Sequence, residues 1–315
     1  MSDTQRLPER QGAAADAPPL DAVRTGGSVP LQVTDLDAAF KVKLRTLIAL
    51  FTPLMYEGIS ARVDVAALRG QGIVSVVSSL DFRRSDLAAA VAAPLDTTVE
   101  TRLSELSGDG PGTHHSRLGF DIAYTFATPP GAGEPRRYRE QLSPEPLNCG
   151  SGRIILTLLR PTAPTAERLV RASRPELDHL RLHVLEEPHP SVESLSAVGD
   201  AFTAPEDHTA EIRGRYGLQH TDVNQYVYTG EYTAAMEDMA TRLVADAGLP
   251  VDRHSIDRIA AVFKFPFSAG DAYAVRGRLF QDAGRRTVAL VGIHPMGPDG
   301  PRLRPAVFGR VEGTC

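Results

Sequence analysis

The chain has 315 residues, 42% hydrophobic and 23% charged, with a formal net charge of −5. That size and apolar content suit about two domains with substantial cores. Mild acidity with interspersed charge and no basic stripe excludes nucleic acid as the main partner, and no run of about 18 apolar residues announces a membrane span.

Residues 1–28 are rich in Pro, Ala, Gly and charge and lack the basic-then-apolar layout of a signal peptide, so a disordered tail is expected there. From residue 29 the chain runs through a short strand-like piece and the polar "TDLD" into a helical pattern. Leu44, Leu47, Ile48 and Phe51 fall on one face, and Pro53 is expected to perturb or end that helix. Strand-like runs follow at "GIVSVVSSLDFRR", "LDTTVETRLSEL", "SRLGFDIAYTFAT", "RRYREQLS" and "GRIILTLLR", as in one antiparallel sheet. These make up a first unit over residues 29–160. Residues 161–208, rich in Pro and charge, are expected to form a long linker with one short helix.

Residues 209–315 repeat the order of elements. "TAEIRGRYGLQ" suits a strand, "HTDVNQ" a polar turn, and Met236, Met239, Ala240, Leu243, Val244 and Ala247 make a helical stripe closed by Gly248. Four further strand-like runs complete the unit. Asp37 aligns with Asp222 at an offset of 222 − 37 = 185, and Leu103 with Leu279 at 279 − 103 = 176. Two matches in the same order favour an internal duplication whose loops have drifted in length.

The two cysteines, Cys149 and Cys315, make neither a disulfide framework nor a metal site, and a reduced, cytoplasmic setting is expected. His114 and His115 lie in a Gly-rich stretch without ligands at metal spacing, and "GDGPG" precedes no helix, so neither a metal nor a phosphate-bound cofactor is expected. The sequence lacks a "GxSxG" elbow, which argues against a serine hydrolase of the α/β type.

The densest polar cluster is "HTDVNQYVYTGEY", residues 220–232, at the mouth of the second long helix. A strand, a polar turn, a long helix and a sheet that wraps it resemble the hotdog layout. Two copies in one chain resemble a double hotdog, an α+β fold with two tandem hotdog units. Residues 222–232, "DVNQYVYTGEY", resemble the "DVNQHVNNVKY" stretch of plant-type acyl-acyl-carrier-protein (acyl-ACP) thioesterases, and more loosely the "GHVNNxxY" helix start of acyl-CoA thioesterases. The resemblance implies a thioester hydrolase acting on acyl-ACP or acyl-CoA, in fatty-acid-type or polyketide biosynthesis, with the second unit carrying the site. In that family the Asp, Asn and His of the motif carry the hydrolysis. Asp222 and Asn224 occupy the first two places, Tyr226 stands in the third, and Tyr228 and Thr229 replace the two Asn that follow.

Hydrolysis of a thioester needs a proton acceptor for water and donors where the carbonyl oxygen gains charge. Asp222 suits a base or nucleophile, Asn224 a water-orienting amide, and Tyr226 a donor to the carbonyl, since a phenol is a poor base at neutral pH. His220 offers an imidazole two residues before Asp222. The helix terminus adds free N–H groups and a partial positive charge worth about 0.3–1 kcal/mol per nearby anion. Tyr228, Gly230, Glu231 and Tyr232 are expected to bind substrate, with Gly230, Ala234 and Ala235 leaving room for an acyl chain. A blander reading keeps Asp222 as an N-cap, Asn224 as a turn residue, Tyr228 and Tyr232 as packing groups, and Glu237 as a solvated side chain.

The corresponding positions of the first unit are Asp37, Ala39 and Lys41, chemically poorer. Lys41, Lys43 and Arg45 suit either a solvated helix face or attraction of an acidic carrier. Tyr226 in place of His also keeps open a non-hydrolytic enzyme on a carrier-bound chain (acyltransferase/decarboxylase, cyclase or dehydratase), and beyond that a degenerate acyl-binding protein. A monomer or a homodimer is compatible with two units in one chain.

Overall fold

The computed structural model of the chain describes residues 22–37, 41–85, 94–106, 117–128, 145–171, 182–185, 190–204 and 209–315. Alternation of side chains marks β3 (Leu95–Leu106), where Leu95, Thr97, Val99, Thr101 and Leu103 are all buried on one face. β1 (Val23–Val29), β3, β4 (Arg117–Thr128), β5 (Leu147–Leu159) and β2 (Val74–Arg84) lie side by side in that order. The sheet continues through β8 (Ser255–Phe263), β12 (Val307–Thr314), β10 (Arg286–Gly297), β9 (Ala272–Gln281) and β7 (Thr209–Arg215). Those ten strands pair antiparallel throughout. β6 (His183–Leu185) adds a parallel piece to β3, and β11 (Gly300–Pro301) a short one to β10.

Each half of the sheet has the same strand order counted from its own edge. The halves meet where β2 pairs with β8 from Ser79↔Val262 to Arg83↔Arg258. Across that seam Arg258 donates twice to Asp81, at 2.9 and 2.7 Å, the paired geometry that guanidinium and carboxylate favour.

Two long helices, α1 (Leu44–Ser60) and α4 (Thr229–Asp246), pack on the sheet and on each other. Their buried stripes, Leu44, Leu47 and Ile48 on α1 and Met236, Met239, Ala240, Leu243 and Val244 on α4, belong to one continuous core. α4 ends in a left-handed turn: Gly248 takes φ +70°, and Leu249 N–H reaches back to the Val244 carbonyl at 3.1 Å. Two short helices, α2 (Val65–Gly70) and α3 (Val192–Ser196), complete the α-helices among the described residues; α3 is the short helix expected within residues 161–208.

The loop that leads into each long helix has the same hydrogen bonds 185 residues apart. Asp37 N–H donates to the Lys41 carbonyl at 2.9 Å, and Asp222 N–H to the Tyr226 carbonyl at 2.9 Å. Lys43 N–H bonds the Asp35 carbonyl as Tyr228 N–H bonds that of His220, each at 2.8 Å.

Three sequence expectations are corrected. Residues 23–28 are not tail but most of β1, an exposed edge strand whose Gly26 and Gly27 disguise it. α1 does not stop at Pro53 but continues to Ser60. Pro53 is exposed, so its missing N–H falls away from the core while the inner face keeps its packing, which offsets a cost of about 3 kcal/mol. Residues 161–208 are more than a connection, since β6 extends the sheet from within them. The run "RRYREQLS" and His114–His115 lie outside the described residues.

Candidate active site

The polar cluster folds as a tight loop in front of α4. A single 3₁₀ turn, Leu218–His220, is closed by Gly217 N–H donating to His220 Nδ1 at 2.8 Å, which leaves any proton of the neutral ring on Nε2. Thr221 then bridges to Val227, and Asp222 Oδ1 accepts the Asn224 N–H at 2.7 Å, forming an Asx turn. Gln225 takes a left-handed φ of 64° to close the loop. Tyr228 is the N-cap residue of α4, with no side-chain cap. Asp222 therefore is not an N-cap: it stands six residues before the N-cap position, since 228 − 222 = 6. The uncapped terminus keeps backbone N–H groups and its partial positive charge directed at whatever lies in front of it.

In front of it is a cavity of about 390 Å³, within the range of small-molecule sites. Its walls come from both halves: Ile48, Thr52, Met55 and Tyr56 of α1, residues 75–78 of β2, Ile154, Leu156 and Thr157 of β5, and residues 222, 223, 226–229 and 232 at the head of α4. Val223 and Phe265 stand exposed at its rim. The lining is mostly apolar, with Asp222 as the carboxylate among those side chains. Thr157 Oγ1 is buried in this wall with no partner among the described residues, a costly state for a hydroxyl unless a ligand or water meets it.

No protein-family model matches the sequence, and no curated protein matches it. Solved structures do. A protein named as an oleoyl thioesterase of Lactobacillus plantarum aligns over 95% of this chain and 97% of its own, with a TM-score of 0.61 at 11% identity. The 12:0-ACP thioesterase of Umbellularia californica aligns over 93% and 96%, with 0.55 at 12% identity. An acyl-ACP thioesterase of Bacteroides thetaiotaomicron aligns over 92% and 97%, with 0.53 at 11% identity. The fold is the hotdog type of these thioesterases, shared over nearly the whole chain.

The cavity gathers some of the sequence-predicted residues and not others. Asp222, Tyr226, Tyr228 and Tyr232 line it; His220, Asn224, Gly230 and Glu231 do not. The imidazole of His220 is engaged by Gly217 and packs edge-on to Tyr216 at 5.9 Å between centroids. Asn224 Oδ1 accepts from Arg69 of α2 at 3.3 Å, outside the main cavity. Gly230 makes room for a side chain rather than a substrate: a Cβ there would lie 2.5 Å from Tyr228 Cε1. Tyr232 is buried, and its hydroxyl accepts the Phe267 N–H at 3.0 Å, which fixes it as a strut. Tyr228 shares a hydroxyl contact with Thr52 at 3.4 Å; burial pushes its phenol up, that contact pulling the other way.

Tyr56 was missed by sequence reasoning. Burial pushes its phenol above the ordinary value, the Asp222 charge adds to the rise, and Arg69 opposes it. The available signal was helical spacing: Ile48, Thr52 and Tyr56 follow at i, i+4 and i+8 on the cavity side of α1. Ending the helix at Pro53 hides that stripe.

The mirror position in the first half is closed by charge. Arg84, 3% exposed, pairs with Asp37 at 2.8 Å and donates to Ser255 Oγ at 2.8 Å. Lys41, where the other loop has Tyr226, is buried, 3.3 Å from Ser255 Oγ and 3.7 Å from Asp257 Oδ1. It forms neither a solvated face nor a docking charge. Glu237 is likewise buried rather than solvated: its carboxylate accepts the Arg45 N–H at the start of α1 at 3.2 Å, and desolvation holds its carboxyl above the usual range. Both cysteines are free, and among the described residues no group of His, Cys, Asp and Glu is placed to hold a metal. No described helix is long and apolar enough to cross a membrane.

Proposed function

We propose that this protein hydrolyses acyl thioesters, of acyl carrier protein or of CoA, in a chain of two tandem hotdog units of which the second carries the catalytic loop. The observation that carries the proposal is the Asp222 carboxylate in the wall of an apolar cavity, beside the uncapped N-terminus of α4. An acyl chain lies in the apolar part and presents its carbonyl at the helix terminus. Backbone N–H groups and the Tyr226 hydroxyl stabilise the charge that develops on the carbonyl oxygen. Asp222 takes a proton from the attacking water and returns it to the departing thiolate. The first unit performs no chemistry, because Arg84, Lys41, Asp37 and Asp257 neutralise one another where its site would be.

Agreement of fold with three thioesterases supports this reading, as does the match of residues 222–225 to the motif of the plant-type enzymes. A second reading is favoured by one observation. The cavity is ringed by phenols, Tyr56, Tyr226, Tyr228 and Tyr232, and no imidazole lines it among the described residues. Phenols suit proton donation better than water activation at neutral pH, which fits a dehydratase, cyclase or acyltransferase on a carrier-bound chain. A panel of acyl-CoA and acyl-carrier thioesters, followed for free thiol and for intact carrier mass, decides between them. Thiol release marks hydrolysis. A changed acyl mass without thiol marks the second reading, and tight binding without either change marks an acyl-binding protein.

A further inference from the structure

Asn224 presents a difficulty for any hydrolytic role, since it faces away from the main cavity. It lines instead a second, much smaller cavity of about 20 Å³, bounded by Tyr56, Arg69, Ser75 and apolar side chains that include Ile59 and Phe120. Tyr56 and Ser75 border both cavities, so the two chambers abut at this phenol. One water needs about 10–15 Å³ and two to four polar partners. Two such partners converge here from opposite halves of the chain. Arg69 Nη2 donates to Asn224 Oδ1 at 3.3 Å, which turns the Asn224 NH₂ group away from that bond as a donor. The Tyr56 hydroxyl has no hydrogen-bond partner among the described residues and both donates and accepts.

We propose that the small chamber holds the hydrolytic water between Tyr56 of α1 and Asn224 of the catalytic loop. The inference rests on the thioester-hydrolase reading above. The water oxygen bonds to the thioester carbonyl carbon as one of its protons passes to the Asp222 carboxylate; the carbon–sulfur bond then breaks and the thiolate recovers that proton from Asp222. The acid and the thiol leave, and Asp222 is ionised as at the start. The arrangement gives Asn224 a task without requiring it to touch the acyl chain. It also makes the site dependent on both halves: Tyr56 and Arg69 come from the first unit, Asp222 and Asn224 from the second. Because Asn224 N–H anchors Asp222 Oδ1 at 2.7 Å, base and water-holder move as one loop.

Two experiments on the full-length protein test this. A high-resolution crystal structure is expected to show an ordered water in the chamber within hydrogen-bond distance of both the Asn224 amide and the Tyr56 hydroxyl. A dry chamber, or a water bonded to neither, overturns the proposal whether or not the protein hydrolyses thioesters. The second is Tyr56→Phe, which keeps the ring and the partition between chambers while removing the hydroxyl. Its kcat for thiol release is expected to fall about tenfold, the worth of one hydrogen bond, with KM unchanged. An unchanged kcat, or a loss confined to KM, means that Tyr56 only lines the acyl cavity and that the water comes from elsewhere. Failure of the hydrolase reading itself shows differently, as an absence of thiol release in the unaltered protein.

Discussion

Gly230→Ala separates the stability of α4 from the geometry of its terminus. Alanine in place of glycine favours a helix by about 0.5–1 kcal/mol. The new Cβ, however, falls 2.5 Å from Tyr228 Cε1 and 3.1 Å from its Cδ1. Both distances are below contact, and the obstacle is a side chain rather than backbone, so the ring swings away. Its hydroxyl then leaves Thr52, a contact of 3.4 Å worth at most about 0.5–1.5 kcal/mol. The two terms oppose and nearly cancel, so urea denaturation is expected to show a midpoint shifted by less than about 1 kcal/mol of stability. Turnover responds otherwise. Tyr228 occupies the N-cap position of α4 without capping it and lines the cavity, and displacement of a site group by about 1 Å costs on the order of 100-fold. The expected signature is near-normal stability with strongly reduced thiol release. A variant that gains the full helix stabilisation and keeps wild-type turnover refutes the reasoning, because it shows that the ring is free to move without consequence.

Two further expectations concern buried polar groups. Tyr232→Phe removes the acceptor of the Phe267 N–H and leaves that donor buried, which should destabilise the fold by about 1–3 kcal/mol in urea denaturation; no loss means that water reaches the amide. For Glu237, desolvation outweighs the Arg45 N–H bond and the Arg45 and Arg84 charges, so the folded carboxyl titrates above its ordinary value of 4.5. A group raised on folding stabilises below its unfolded value, and that contribution is lost as pH rises through the folded value. Glu237→Gln, permanently neutral, should therefore be more stable than the parent at pH 7, with the gain vanishing toward pH 4; a loss at pH 7 would show that the Arg45 contacts dominate.

Much of the fold is legible in the residues themselves. The strand-like run "LDTTVETRLSEL" matches β3 from end to end, and the stripe from Met236 to Val244 with Gly248 behind it fixes α4 and its left-handed stop. The offset of 185 between Asp37 and Asp222 reappears as the same backbone hydrogen bonds in two loops, since such a turn is dictated locally by short polar residues. What escaped depends on long-range contact. Lys41 is buried because Ser255 and Asp257, more than 200 residues away, supply its partners. β1 carries two glycines and a weak pattern, and only the free edge of β3 makes it a strand. The candidate site was half visible: Asp222 and Tyr226 stand in the cavity wall, but His220 is consumed by its own turn and Asn224 faces the smaller chamber. The α1 wall, Thr52 and Tyr56 included, has no motif and becomes part of a site only because the helices of both halves pack together.

The most direct measurement is thiol release by Asp222→Ala, alongside the parent protein, on whichever thioester the parent turns over fastest, with circular dichroism confirming that the sheet is intact. Loss of the general base is expected to lower kcat by about 10²–10⁴-fold while substrate still binds in the apolar cavity. Thiol release at the parental rate by a folded Asp222→Ala protein would contradict the assignment of this loop as the catalytic centre.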